Sequence, residues 1–234
     1  MRAESDTGEV ANARPDDNAR RTDLIPILRR LGRVHQLATG ERLQRDRSAD
    51  RQLYLIESGA IKLSLVTPGG AELIVGLFFG GDTMGLRGFG DVPDSDVATA
   101  FERTRVHALP LTVLKQLCRE NPPLHRQIFH LASQRIAQLQ RRMLVVAKSG
   151  ACERVAGFLV ELLNRRPLTS DGTLYLPLSL NDIGNYLCLS LETVCRSLRM
   201  LERQGVIGKN GRYVKMLDRA RLVVMAGESG FIAD

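Results

Sequence analysis

Two helix-start signals eleven residues apart constrain this chain more tightly than anything else in it. Ser179 with Asp182 three residues on, and Ser190 with Glu192 and Thr193 behind it, each stand immediately before an apolar-periodic run. Between them Ile183 and Leu187 form the inward stripe of a first helix, and Leu189 packs in the short connection beside Cys188. In the second helix Val194, Leu198 and Leu201 fall at i, i+4 and i+7, so one side is held by the domain and the other is free. After Gly205, two short β-type runs surround Asn210-Gly211, a pair suited to a type I′ hairpin. Residues Leu178 to Lys215 therefore read as a helix-turn-helix followed by a small wing.

The free side of the second helix is the informative one. At about 100° per residue, Glu192, Arg196, Arg199 and Arg203 cluster on it, with Cys195 close by near the helix start, the part that enters the major groove in this motif. An arginine fork matches the O6 and N7 acceptors of guanine, and a carboxylate accepts from cytosine N4. Glu192 and Arg196 are one turn apart and can also pair with each other, which holds the arginine extended. Ser190 and Thr193 sit at the helix start. Lys209, Arg212 and Lys215 decorate the wing as phosphate contacts, which position without reading sequence. An exposed Glu/Arg face alone is an ordinary solvated helix, and some winged helices bind protein. Two capped helices, a short turn and a wing in that order make double-stranded DNA the expected partner.

Charge agrees with that partner. The chain of 234 residues carries 33 Lys and Arg against 26 Asp and Glu, a formal net charge of +7. Its 44% hydrophobic content suffices for a core in one large or two modest domains. No window approaches the ~18 consecutive apolar residues of a membrane span, and the N-terminus has no apolar signal segment, so no membrane association is expected and the cytoplasm is the expected compartment. Cys118, Cys152, Cys188 and Cys195 are widely spaced with no C-x-x-C pair, which argues against a zinc or iron-sulfur site built from them. No cofactor is expected. Nor does the sequence offer a nucleophile-base pairing, metal spacing or P-loop, so the chain does not read as an enzyme.

Ahead of the wing motif the pattern changes twice. Residues 1–22 hold almost no large apolar side chain and read as a flexible tail. A short helix is expected over Leu24 to Leu31. Period-two runs follow, such as Tyr54-Leu55-Ile56 and Ile61 to Leu65, punctuated by Gly59, Gly70 and Gly81 and by turns at Thr67-Pro68-Gly69-Gly70 and Gly80-Gly81-Asp82, which predicts a β-roll ending near Pro110. Leu111 to Arg119 reads as helix, and Asn121-Pro122 starts a longer one reaching Lys148. In it Phe129, Ala132, Ile136, Leu139, Met143 and Val146 keep the alternating 3,4 spacing of a coiled-coil seam, so a homodimer is expected through this face, while Leu124, Ile128, Leu131 and Leu144 form a second stripe for the β-roll. Ser149-Gly150 reads as a hinge before a further helix with Val155, Phe158, Leu159, Leu162 and Leu163 inward. The expected organisation is α+β: tail 1–22, β-roll 23–120, dimerisation helix 121–149 and winged helix-turn-helix 150–234.

This order of β-roll, long helix and winged helix-turn-helix resembles the Crp/Fnr family of bacterial transcription regulators over about Leu24 to Gly227. The most specific piece is Asp182-Ile183-Gly184-Asn185-Tyr186-Leu187 followed by Leu191-Glu192-Thr193-Val194-Cys195-Arg196. The resemblance implies base contacts for Glu192 and Arg196 and RNA polymerase as a second partner. Catabolite-activator-like members carry Arg before the Glu. Here Leu191 stands there, as in the Fnr and FixK branches, which implies an inverted repeat resembling TTGAT, four bases, ATCAA.

The N-terminal half departs from two sensory chemistries of the family. Cyclic-nucleotide-binding members use Gly-Glu-Leu and an Arg-Ser or Arg-Thr pair, whereas here Gly85 is followed by Leu86 and the Arg position falls near Asp94, which would repel a phosphate. Cluster-holding Fnr members use N-terminal cysteines, and this chain has none before Cys118. The resemblance is therefore to FixK-like members, effector-free activators of low-oxygen respiration, denitrification or nitrogen-fixation genes. A haem-binding, nitric-oxide-sensing neighbour is the alternative, with His35, His107, His125 and His130 as its available imidazoles. Cys195, beside Arg196 where many Fnr relatives have Ser, is the redox-sensitive candidate: oxidation there adds bulk at the DNA-facing surface, against a passive role facing a thymine methyl.

Overall fold

The computed structural model describes residues 23–43, 51–67, 69–90 and 96–227. The expected tail, Pro68 of the first turn and Asp94 lie outside the described residues. Helix α1 (Leu24–Leu31) buries Leu24, Ile27 and Leu28, the i, i+3, i+4 face. Seven strands follow: β1 (Arg33–Leu37), β2 (Gln52–Ser58), β3 (Ala60–Val66), β4 (Glu72–Phe79), β5 (Thr83–Met84), β6 (Asp96–Ala100) and β7 (Thr104–Pro110). They form two antiparallel sheets ordered β1-β7-β2-β5 and β4-β3-β6. The chain changes sheet at Gly59, between β2 and β3. Alternation along β2 serves two cores at once. Tyr54 and Ile56 face the inside of the roll with Ile61, Phe78 and Val106, and Leu53 and Leu55 face outward against α1, Leu114, Leu124 and Ile128.

Helix α2 (Leu111–Glu120) leads to α3 (Pro122–Lys148), with Asn121 as N-cap accepting from the Leu124 N–H and proline in the first turn. At 27 residues α3 is about 40 Å long. Leu124 and Ile128 of the second stripe are buried and Leu131 is half-buried, but Leu144 is 48% exposed and Val145 is buried in its place. The reason is angular. Thirteen residues from Leu131 carry Leu144 about 140° round the helix, and one more residue brings Val145 back to within about 40°. Ser149 and Gly150 are extended and end the helix. Helix α4 (Ala151–Arg165) then buries Val155, Phe158, Leu159 and Leu162, with Leu163 half-buried, as expected.

The C-terminal part comprises β8 (Thr173–Tyr175), α5 (Leu180–Leu187), α6 (Leu191–Arg203), β9 (Ile207–Asn210), β10 (Tyr213–Met216) and α7 (Arg219–Ala226). The wing is a three-stranded sheet ordered β8-β10-β9 rather than a lone hairpin. Three residues are too few to show a period, so β8 left no signal in the sequence. The turn also differs from expectation. Asn210 pairs with Tyr213 as the last residue of β9, leaving Gly211-Arg212 as the two-residue loop. Positive φ occurs at Gly211 alone, the pattern of a type II′ turn and not of the type I′ expected from Asn-Gly. One apolar cluster runs through Leu159, Leu174, Ile183, Val194, Leu198, Leu201 and Val214 and continues into Ile74, Leu77 and Phe79 of the β-roll, so the two halves share a core.

Candidate nucleic-acid interface

Each helix of the motif starts on its serine. The Ser179 hydroxyl accepts from the Asp182 N–H at 3.0 Å, and the Ser190 hydroxyl accepts from the Thr193 N–H at 3.2 Å while lying 2.8 Å from Thr193 Oγ1. Between them α5 ends on Cys188 in the left-handed region, with φ 55°. The Leu189 N–H donates back to the Gly184 carbonyl at 3.0 Å. A Cβ on Gly184 would lie 2.6 Å from the Leu189 carbonyl oxygen, so glycine is what lets the turn be this tight.

Helix α6 buries Val194, Ser197, Leu198 and Leu201 and leaves the opposite face to solvent. Glu192 and Arg196 are 84% and 69% exposed, with Arg196 Nη2 3.9 Å from Glu192 Oε1. At that distance in water the pair is weak, and both side chains stay available to a ligand. Arg199 and Arg203 are exposed on the same side, and Cys195 is half-buried. On the wing, Lys215 is exposed and Lys209 is half-buried, its backbone N–H donating to Glu202 Oε1 at 3.1 Å. Arg212 is less free than its sequence position implied, because Nη1 donates to the Pro177 carbonyl at 3.1 Å. Every DNA-contact candidate thus lies on α6, its cap or the adjoining wing.

The expected dimer seam is open. Phe129, Ile136, Leu139 and Met143 are 71%, 58%, 41% and 73% exposed, and Ala132 and Val146 are half-buried. The cysteines are scattered over α2, α4, the α5–α6 turn and α6, and burial pushes the Cys118 and Cys152 thiols up. His107 is buried on β7 with Nε2 3.1 Å from Glu57 Oε2; His35 lies on β1, and His125 and His130 are exposed on α3. Among the described residues no group of three His, Cys, Asp or Glu is placed to hold a metal ion, and no helix is long and apolar enough to cross a membrane.

A polar junction between the halves was not foreseen from the sequence. Lys62 on β3 lies 2.5 Å from Asp182 and 3.3 Å from Glu72. Burial pushes the Asp182 carboxyl up, but the hydrogen bonds from Lys62 and Ser179 outweigh it and hold the group below the usual carboxylate range. Arg165 pairs with Asp82 and lies over the Phe79 ring, and Arg166 grips both carboxylate oxygens of Glu102 at 2.7 and 3.0 Å. Arg142 joins α3 to β4 and α5, and Glu161 accepts from Tyr186 Oη. The available signal was Glu161, a carboxylate between Val160 and Leu162 on the inward side of α4, where a charge needs a partner.

Residues 153–225 match the family described as the Crp-like helix-turn-helix domain, and residues 34–121 match the cyclic nucleotide-binding domain. The chain is 34% identical to the transcriptional activator protein FnrA of Stutzerimonas stutzeri over 197 residues, 83% of this chain and 81% of that one. It is 34% identical to the fumarate and nitrate reduction regulatory protein of Vibrio cholerae over 181 residues, 76% of this chain and 72% of that one. Among solved structures, FixK2 from Bradyrhizobium japonicum is similar with a TM-score of 0.74 at 27% identity, covering 83% of this chain and 97% of that one. These relatives are regulators rather than enzymes.

Proposed function

The chain belongs to the Crp/Fnr family of transcription regulators, and from that premise we propose that it is a homodimeric activator reading a TTGAT-N4-ATCAA palindrome with neither an iron-sulfur cluster nor cyclic AMP. The observation that carries this reading is the open, rigidly backed pair at the start of α6. Glu192 and Arg196 are solvent-facing, while Val194, Leu198 and Leu201 behind them are buried. Arg196 reads guanine through O6 and N7, and Glu192 accepts from cytosine N4. Ser190, Thr193 and Cys195 line the same helix start, and Arg199, Lys209, Arg212 and Lys215 hold phosphates. Phe129, Ala132, Ile136, Leu139, Met143 and Val146 meet their equivalents in a second copy, since a palindrome calls for a two-fold reader.

The names of its relatives, a transcriptional activator and a fumarate and nitrate reduction regulatory protein, support activation and control of low-oxygen, denitrification or nitrogen-fixation genes; an activator of this kind acts in the cytoplasm by recruiting RNA polymerase. Leu86 after Gly85 supports independence from cyclic AMP. A small-molecule receptor is the second reading, favoured by a cleft of about 520 Å³ between α1, the β4–β5 turn and α3. A gel shift on the palindrome without additions, then with cyclic AMP, separates the two. Full binding without additions supports the effector-free regulator, and binding that needs a ligand supports the receptor.

Lys215→Ala is expected to weaken binding to all sequences alike and to lower the salt slope by about one per subunit. Titrations between 50 and 200 mM salt on the order used for such slopes check this; a slope equal to wild type removes the phosphate assignment. For Cys195 the proposal is that peroxide converts the thiol to a sulfenic acid, with release of water, and so lowers DNA affinity. Treated Cys195→Ser should keep its affinity where treated wild type loses it, and equal losses would eliminate the switch.

A further inference from the structure

Arg142 gathers contacts out of proportion to its place on a long helix. Its guanidinium donates to the Ile74 carbonyl on β4 at 2.6 Å and to the Tyr186 carbonyl in the last turn of α5, and it lies 4.1 Å from the centre of the Tyr186 ring. Tyr186 is 5% exposed, and its hydroxyl donates to both Glu161 carboxylate oxygens at 3.1 and 3.3 Å. The next carbonyl of α5, that of Leu187, accepts from Arg154 Nη1 at 3.1 Å, and Arg154 Nε donates to the Ser149 carbonyl at 3.0 Å. Last-turn carbonyls have no partner within their own helix and carry the negative end of its dipole. Here two of them are taken by arginines from either side of the Ser149-Gly150 break.

That break is a weak link on its own. Both residues are extended, and although Ser149 is buried, a Cβ on Gly150 would meet nothing within 4 Å, so the backbone is uncrowded at Gly150. The Lys62–Asp182 pair ties the start of α5 to the β-roll, not to α3. Arg142 reaches α5 from the same helix that carries the open Phe129, Ile136 and Met143 seam. We infer that Arg142 is a positioning residue that locks α5, and through it the reading helix α6, to the dimer helix and thereby sets the half-site spacing the protein accepts. Inserting one base pair moves a half-site by about 3.4 Å and turns it by roughly a tenth of a helical turn, so spacing is read only by a unit that cannot swing. Lysine replaces this arginine only in part: both carbonyl bonds come from Nη2 and an ammonium can make two such bonds, but it offers no planar face to lie over the Tyr186 ring at the same time.

This inference rests on the dimeric DNA-reading function proposed above, and its test separates the two. Anisotropy titrations of the full chain use duplexes with TTGAT half-sites separated by three, four, five or six bases, and an isolated half-site. Wild type should prefer one spacing by about tenfold or more, and Arg142→Gln should cut that preference at least about fivefold. Arg142→Gln should remain a dimer by sedimentation and keep its half-site affinity to within about twofold, since lone half-sites impose no spacing. Arg142→Lys, which keeps the charge, should fall between and carries the comparison should Arg142→Gln fold poorly. Unchanged spacing preference in a folded variant overturns the inference, as does a uniform loss on every duplex including the half-site. A wild type that binds no palindrome would instead bring down the functional reading beneath it.

Discussion

Arg196→Ala is expected to relax discrimination at the one guanine of each half-site while leaving the fold intact. The loss should be about 1 to 3 kcal/mol per half-site, so about 2 to 6 kcal/mol for a palindrome whose distant halves add, roughly 30-fold to 10⁴-fold in affinity. Stability should not change, because the side chain is 69% exposed and its ion pair with Glu192 spans 3.9 Å. The informative readout is a profile rather than one affinity: the preference for G at the contacted position should shrink for the variant to what the Glu192 contact with the paired cytosine sustains. Arg196→Lys should recover little, since an ammonium cannot bond O6 and N7 as a planar fork. A parallel drop on every sequence, as expected of Lys215→Ala, would move Arg196 to the phosphate backbone.

The second large effect concerns Ile136. It is 58% exposed in the single chain and lies between Phe129 and Met143 on the same face of α3. A buried carboxylate at the centre of an apolar interface is strongly disfavoured, so Ile136→Glu should convert dimer to monomer. A monomer holds one half-site and forfeits the linked second contact, which lowers apparent affinity for the palindrome by about 10² to 10⁴-fold. Circular dichroism should match wild type, because the substituted position faces solvent in the monomer. Sedimentation equilibrium beside anisotropy checks both parts. A variant that stays dimeric would place the interface elsewhere.

The parts of this molecule that the sequence disclosed are those governed by local rules. Serine caps, the 3,4 spacing of Val194, Leu198 and Leu201, and the break at Ser149-Gly150 act within one turn of chain, and the structure places them where the sequence put them. Leu144 shows the limit of periodicity. An angular error accumulates along 27 residues, and one position decides which side chain reaches the β-roll. The hairpin shows another. Asn-Gly is the stronger local signal, but pairing of β10 with both β8 and β9 fixes the register, and Gly211-Arg212 becomes the loop. The junction was illegible because its partners are remote in sequence: Arg142 and Ile74 are 68 residues apart, and Lys62 and Asp182 are 120 apart. Of the reading site, the face and its side chains were visible beforehand, but the tether of Arg212 to the Pro177 carbonyl was not.

DNA recognition by this chain rests on base reading by Glu192 and Arg196 without an effector. Its most direct test is a titration of the purified full chain, with nothing added, against TTGAT-N4-ATCAA and against a scrambled duplex of equal length and composition at one fixed salt concentration. The palindrome should bind at least about 10³-fold more tightly. Equal affinity for the two duplexes, falling together as salt rises, would contradict it.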